Sequence, residues 1–252
     1  MTPQIAIPEP TSLDPAYNLR SLAPYLFALK AAGATPIVVP LHERPDRVAR
    51  VLSAVQGILL PGSRFDVEPE RYGQTRSEQC GPADAGRTAV DELLLQDAFN
   101  LHKPIFAICH GLQSMNVWCN GTLVQHLETS VVHRAEREVD EAHTVRLVPG
   151  THLWSLLRPN GQAAEVDLSV NSTHHQAIDR VGDHLVVTAT SPVDSTVEAV
   201  ELDSSQQFVL GVQWHPERTY PTSEASRALF AAFVQAATRW VPPLVNERVA
   251  AR

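Results

Sequence analysis

The chain has 252 residues, 44% of them hydrophobic, and a formal net charge of −8. That supports one substantial core, while the absence of a Lys/Arg cluster with interleaved aromatics argues against a nucleic-acid partner. No apolar stretch reaches the length of a membrane span.

Met1 to Pro10 lacks the basic and long apolar regions of a secretory signal. Three cysteines, Cys80, Cys109 and Cys119, make no disulfide framework, so reduced thiols and a cytoplasmic location are expected. Eleven histidines raise the question of a metal. However, no His-x-x-x-His or Cys-x-x-Cys pair occurs, and adjacent His174 and His175 cannot both point into one site from an extended segment. Neither a metal nor another cofactor is expected.

In chain order, Gln4 to Ile7 reads as a strand, Leu19 to Ala32 as an amphipathic helix closed by Gly33, and Pro36 to Val39 as the next strand. Val48 to Val55 is helical and Gly57 to Leu60 a strand. Ser63 to Arg87 is a long irregular loop, of the kind that is usually functional or mobile in a compact domain. Val90 to Leu101 is a helix leading into the strand that ends at Cys109. This alternation predicts a mostly parallel sheet with helices on both faces. The strands His143 to Leu147, Ala164 to Val170, Leu185 to Ala189, Val197 to Leu202 and Phe208 to Val212 follow with short polar turns, as an antiparallel extension. A last helix runs from Ser223, its cap, to Ala237. No linker divides residues 1–240, which read as one α/β domain, and Val241 to Arg252 reads as a tail.

Ile105-Phe-Ala-Ile-Cys109-His-Gly-Leu-Gln113 is the most informative stretch. An apolar strand ends at a cysteine, Ala107 and Gly111 are small, and Leu112 to Val117 can continue as a helix. The thiol then sits at the carboxyl end of a strand and the amino end of a helix, where such sheets bind ligands and the dipole favours thiolate. This is a cysteine version of the nucleophile elbow. Phe208 to Glu217 supplies the complement, an apolar strand ending at His215 and, beyond Pro216, Glu217. A thiol nucleophile needs a base, and the base needs an orienting group. Pro216 favours extended geometry at His215, which puts Glu217 on the same face. For the oxyanion, the backbone N–H groups of Gly62, after the strand Gly57 to Leu60, and of His110 are the candidate donors.

With these residues assembled, the chain resembles the class I glutamine amidotransferase-like superfamily and, within it, the gamma-glutamyl-gamma-aminobutyrate hydrolase family. The resemblance runs over nearly all of Gln4 to Ala237. It is carried by Phe106-Ala-Ile-Cys109-x-Gly-Leu-Gln113, Gly211-Val-Gln-Trp-His215-Pro-Glu217, Leu60-Pro-Gly-Ser63, Val170-Asn-Ser-x-His174-x-Gln176 and Val197-Glu198-Ala-Val200. It implies hydrolysis of a γ-glutamyl amide through a cysteine thioester, in polyamine catabolism or another amine pathway. Cys109 would be the nucleophile, His215 the base and then acid, and Glu217 its orienter. Gln113 and the backbone around Asn171 and Ser172 would hold the glutamyl group. The family commonly has arginine after the nucleophile, where this chain has His110.

The expected partner is a small γ-glutamyl molecule, with homodimerisation left open. Specificity is expected to be strict on the glutamyl side and loose on the amine side. The rival readings are a glutaminase subunit delivering ammonia to a synthase and a non-catalytic binding protein.

Overall fold

Short apolar runs separated by amphipathic stretches fold as parallel strands with crossover helices, because both faces of such strands must be covered. The computed structural model describes residues 2–158, 166–204 and 206–243. Its first half runs β1 (Gln4–Pro8), α1 (Pro15–Ala31), β2 (Thr35–Val39), α2 (Pro45–Ala54) and β3 (Gly57–Leu60). A 3-10 turn at Pro69–Tyr72, α3 (Ala85–Asn100), β4 (Ile105–Ile108) and α4 (His110–Trp118) complete it. The second half gives β5 (Leu123–Val124), β6 (His143–Leu147), α5 (His152–Leu157), β7 (Val166–Val170) and β8 (Ala177–Ile178). It closes with β9 (Leu185–Thr190), β10 (Val197–Leu202), β11 (Val209–Val212), α6 (Pro216–Thr219) and α7 (Glu224–Arg239).

All strands join one sheet in the order β2-β1-β3-β4-β11-β10-β9-β6-β7, with β5 and β8 paired beside β10. Pairing is parallel from β2 to β11 and antiparallel beyond it. The mixed α/β class read from the sequence is therefore observed. Alternate residues of the central strands feed two cores, one on each face. Phe106 and Ile108 pack with Phe230 and Phe233 of α7, while Ile105 and Ala107 join Leu94, Leu112 and Met115 of α3 and α4. Phe106 meets Phe230 edge-on at 5.2 Å between centroids. Burying each such ring contributes about 1.5–3 kcal/mol.

Three helices start earlier than periodicity alone suggests, because caps and prolines set their first turns. Asp14 accepts from Tyr17 N–H at 2.9 Å and Pro15 opens α1, four residues before Leu19. Pro45 opens α2 in the same way. Asp84 caps α3, so the predicted Ser63–Arg87 loop gives up its last residues to that helix and also contains the 3-10 turn. The short elements α5, β5 and β8 lack the length that makes a pattern visible. Of the predicted strand from Ala164, residues 164–165 lie outside the described residues, as does the predicted tail beyond residue 243.

Asp84 is more than a cap. Its carboxylate accepts from Thr11 Oγ1, Ser12 N–H and Ser12 Oγ, each at 2.6 Å, and from Gly86 and Arg87 N–H at 3.0 and 3.2 Å. Burial disfavours the charge, but these donors hold the carboxyl below its ordinary value. A depressed folded value means the contribution is present above the unfolded value of about 3.9 and is lost as pH falls through the folded one. Asp84→Ala is expected to lower unfolding free energy at pH 7 by about 2–3 kcal/mol. Denaturant melts check this, and the deficit should narrow toward pH 2–3.

Candidate active site

β4 lies between β3 and β11, with Leu60 opposite Ala107 and Val212 opposite Ile108. The residues that follow these three strands therefore leave the sheet at one edge, which brings Gly62, Cys109 and His215 together. A Cβ added to Gly62 would lie 2.9 Å from His215 Cε1 and 3.6 Å from Cys109 Cβ. Glycine is what permits this approach. Cys109 itself has φ 53° and ψ −109°, a conformation costing about 1–3 kcal/mol for a residue with a side chain. It is held there by its N–H to Val212 O at 2.8 Å and by the first bond of α4, Gln113 N–H to Cys109 O at 3.1 Å. Gly111 follows because a Cβ at that position would run into the Leu60 carbonyl.

His215 is fixed at backbone and ring. Asn171 clamps its backbone from both sides, accepting from the N–H at 2.8 Å and donating to the carbonyl at 2.9 Å. Its Nδ1 bonds Glu217 Oε1 at 2.8 Å, which places the proton on Nδ1 and a lone pair on Nε2. The backbone route to this pair differs from the extended one expected. His215 caps the short helix α6, and Glu217 reaches the ring from its first turn.

All three groups are buried, and burial decides their resting charge. It pushes the Cys109 thiol up to about 12, with Arg218 opposing, Glu217 reinforcing and the His110 N–H opposing. It also pushes the His215 imidazole down, against the nearby Glu217 charge. Burial disfavours the Glu217 charge too, but His215 and Arg218 hold it ionised. The resting pair is a neutral thiol beside a neutral imidazole, and ionising either alone is costly.

Cys109 and His215 line a cavity of about 290 Å³, together with Gln113, Arg134, Arg137, Thr173, His174, Gln176 and Arg218. Only Ser63, Arg64, Phe65 and Asp66 of the long loop reach it. Gln113 faces the cavity, its amide N–H donating to Gln176 O at 3.0 Å and to Gln213 Oε1 at 3.2 Å. Asn171 and Ser172 are buried behind it, Asn171 on His215 and Ser172 Oγ on the His133 carbonyl at 2.7 Å. Neither lines the cavity.

Gly62 N–H is engaged, donating to the buried Tyr25 hydroxyl at 3.0 Å. The His110 N–H faces the Cys109 sulfur, as an elbow requires. Its side chain is buried rather than at the surface, and burial together with Arg87 holds the imidazole neutral. Arg87 is itself fully buried, bonded to Asp91 at 2.7 Å and to the Pro61 carbonyl at 2.7 Å, so it anchors the turn that carries Gly62.

Sequence reading missed Tyr25, Arg134, Arg137 and Arg218. Only Arg218, adjacent to Glu217, had a local signal. It also missed that His133, His143 and Glu198 converge within metal-ligand range beside the pocket, because their separation in sequence hides the set.

The peptidase C26 family model matches residues 11–217. The chain belongs to the peptidase C26 family, whose members are class I glutamine amidotransferase-like. The family is one of enzymes with hydrolase activity.

Among similar proteins, a "putative glutamine amidotransferase" of Mycobacterium tuberculosis is 36% identical over 220 residues, 86% of this chain and 67% of that one. The gamma-glutamyl-gamma-aminobutyrate hydrolase of Escherichia coli is 36% identical over 222 residues, 84% of each chain. The crystal structure of a putative GMP synthase component from Thermoplasma acidophilum superposes with a TM-score of 0.59 at 14% identity. The match covers 94% of this chain and 95% of that one and shows the shared fold. No helix among the described residues is long and apolar enough to cross a membrane.

With burial pushing the Cys109 thiol up to about 12, forming a thiolate needs an acceptor for its proton, and His215 is the expected one. His215→Ala is expected to slow alkylation of Cys109 by iodoacetamide at least about tenfold at pH 7.5. Peptide mass spectrometry of a time course measures it. An unchanged rate would mean that the two groups do not exchange a proton.

Proposed function

We propose that the chain hydrolyses the γ-glutamyl amide bond of a substrate whose leaving amine carries a carboxylate, such as γ-glutamyl-γ-aminobutyrate. The observation that carries this reading is the elbow thiol beside an imidazole oriented by a carboxylate, in a cavity rich in arginine. His215 Nε2 takes the thiol proton as Cys109 Sγ bonds to the γ-carbonyl carbon, giving a tetrahedral oxyanion. The His110 N–H is one donor to it. Gly62 N–H is the second once it exchanges its bond to Tyr25 for the oxyanion. As the oxyanion collapses, the C–N bond breaks and the His215 imidazolium protonates the departing amine. Water then gives its proton to His215 and attacks the thioester. The C–S bond breaks, glutamate leaves, and the sulfur recovers its proton.

Substrate class follows from charge. Arg64 is paired with Asp14 at 3.1 Å and Arg218 donates to Thr173 Oγ1 at 2.5 Å. Arg134 and Arg137 line the cavity at its exposed rim and make no ion pair or side-chain hydrogen bond among the described residues. A γ-glutamyl amide of a neutral amine offers one carboxylate, whereas two guanidiniums without partners have capacity for two. Asp66 lines the same cavity and, although it accepts from Gly81 N–H at 2.6 Å and meets His175 Nε2 at 3.0 Å, its carboxylate keeps further lone pairs for the α-ammonium. This narrows the loose amine side that the sequence suggested. Gln113 is the glutamyl contact retained, with Asn171 and Ser172 acting through the backbone they position. A glutaminase subunit would use the same three groups. Ammonia release from glutamine only in the presence of a partner protein would favour that rival.

Three outcomes test the reading. Cys109→Ala abolishes glutamate release with the fold intact, and His215→Ala approaches that loss. Glu217→Gln costs less, because it removes orientation but not the proton acceptor.

The base must be unprotonated to act. With His215 depressed by burial, kcat/KM should fall only as pH drops below the ordinary histidine value of about 6.5. An acid limb above that value would place another group in the role.

Finally, γ-glutamyl conjugates of γ-aminobutyrate, butylamine and putrescine should rank in that order of kcat/KM, each step at least about tenfold. The Arg134→Ala/Arg137→Ala double variant should collapse the spread. A preference for the putrescine conjugate would overturn the assignment.

A further inference from the structure

Beside the pocket, groups that the Cys109 chemistry does not use meet in a buried cluster. Glu198, fully buried on β10, places Oε1 2.8 Å from His143 Nε2 on β6 and 3.2 Å from His133 Nδ1 in the segment before it. His174 Nε2 lies 3.9 Å from the same oxygen. One ligand atom from each of His133, His143 and Glu198 falls within 4.8 Å of the other two. The two spacings to Glu198 Oε1, 2.8 and 3.2 Å, are ones that a cation with bonds of about 2.0–2.2 Å can span.

Hydrogen bonding alone leaves this cluster poorly satisfied. Among the described residues, His143 Nδ1, His174 Nε2 and Glu198 Oε2 are buried without a hydrogen-bond partner, a costly state for polar atoms, and His133 Nδ1 has only its 3.2 Å approach to Glu198 Oε1. The outer nitrogens, by contrast, are tied. His133 Nε2 bonds Asp194 Oδ2 at 2.9 Å and His174 Nδ1 bonds the Gln176 carbonyl at 2.9 Å. Those bonds turn the lone pairs of His133 Nδ1 and His174 Nε2 toward Glu198. A lone pair facing a carboxylate oxygen at 3.2 Å is repulsive unless a cation lies between them. A proton on His133 Nδ1 relieves that one contact and leaves His143 Nδ1, His174 Nε2 and Glu198 Oε2 without partners. Carboxylate and carbonyl acceptors behind imidazoles are the usual support of metal ligands.

We propose that His133 Nδ1, His143 Nε2 and the Glu198 carboxylate hold one Zn²⁺, with His174 Nε2 facing its fourth position. A nitrogen-rich set suits zinc over calcium or magnesium, and four protein groups with no open position make a structural site. Binding needs a lone pair at each ligating nitrogen, so protons there pass to solvent or to the other ring nitrogen, and no redox step occurs. The ion ties β6 and β10 to the segments that carry Arg134, Arg137, Thr173 and Gln176 to the cavity.

The test uses the purified full chain, stripped with chelator, reloaded with Zn²⁺ or Co²⁺ and desalted. The wild type should retain about one metal per chain, show tetrahedral Co²⁺ absorption and gain thermal stability on Zn²⁺ loading. His143→Gln should retain at least about tenfold less, and Asp194→Asn, with the ligands intact, should bind Zn²⁺ about 10–100-fold more weakly. Cys109→Ala should retain the metal, which separates this site from the thiol and His215. A wild type that retains less than about a tenth of an equivalent overturns the proposal. So does metal that survives His143→Gln or is lost in Cys109→Ala.

Discussion

The register of β4 between β3 and β11 is the constraint on which the site depends. Parallel strands in register end together, so three segments separated by many residues deliver Gly62, Cys109 and His215 to one edge of the sheet. A one-residue slip in either pairing would turn side chains to the opposite face. Full burial of β3, β4 and β11 makes such a slip costly, since both layers of the core would be repacked. The same register forces the tight turn at Cys109. Its positive φ is tolerated because the strand before it and the helix after it are both locked.

Burial gives this edge its electrostatic character. Water exclusion raises the thiol and lowers the imidazole together, so neither carries charge at rest. Glu217 makes an isolated thiolate less favourable and an imidazolium more favourable, so it acts on the pair by supporting the cation once the proton has moved. Arg218 has the reverse pair of effects. The two residues after Pro216 therefore oppose each other at both groups, and burial keeps the thiol and the imidazole neutral together. That balance would be hard to maintain if the two charges sat on separate mobile loops; here one helical turn carries both.

Legibility in the sequence followed locality. Strands with a run of apolar residues and a punctuating turn were readable, and so were the ends of β4 and β11, because Cys109, His215 and Glu217 each sit within a few residues of such a run. The pairing of His215 with Glu217 was readable from adjacency, but its backbone was not. Proline at the first helical position and proline after an extended residue leave the same trace, and the structure takes the helical option. Helix starts were misread where Asp14 and Asp84 act as caps beyond the apolar period. Tyr25, Arg134, Arg137 and the Glu198 cluster had no local signature, since each gains meaning only from a contact made across the fold.

The antiparallel half of the sheet does more than extend it. β10 enters the site edge against β11, with Gln213 N–H bonded to the Glu198 carbonyl at 2.7 Å, so the strand that leads to His215 is also registered to the buried carboxylate. Residues 171–174 then bridge the two regions. Asn171 grips the His215 backbone, Ser172 and His174 bond the His133 carbonyl, and Thr173 meets Arg218. A segment of irregular backbone is thereby tied at both ends, by the Asn171 side chain and by the His174 N–H. The parallel half carries Cys109 and His215, and the antiparallel half sets the position in which they meet.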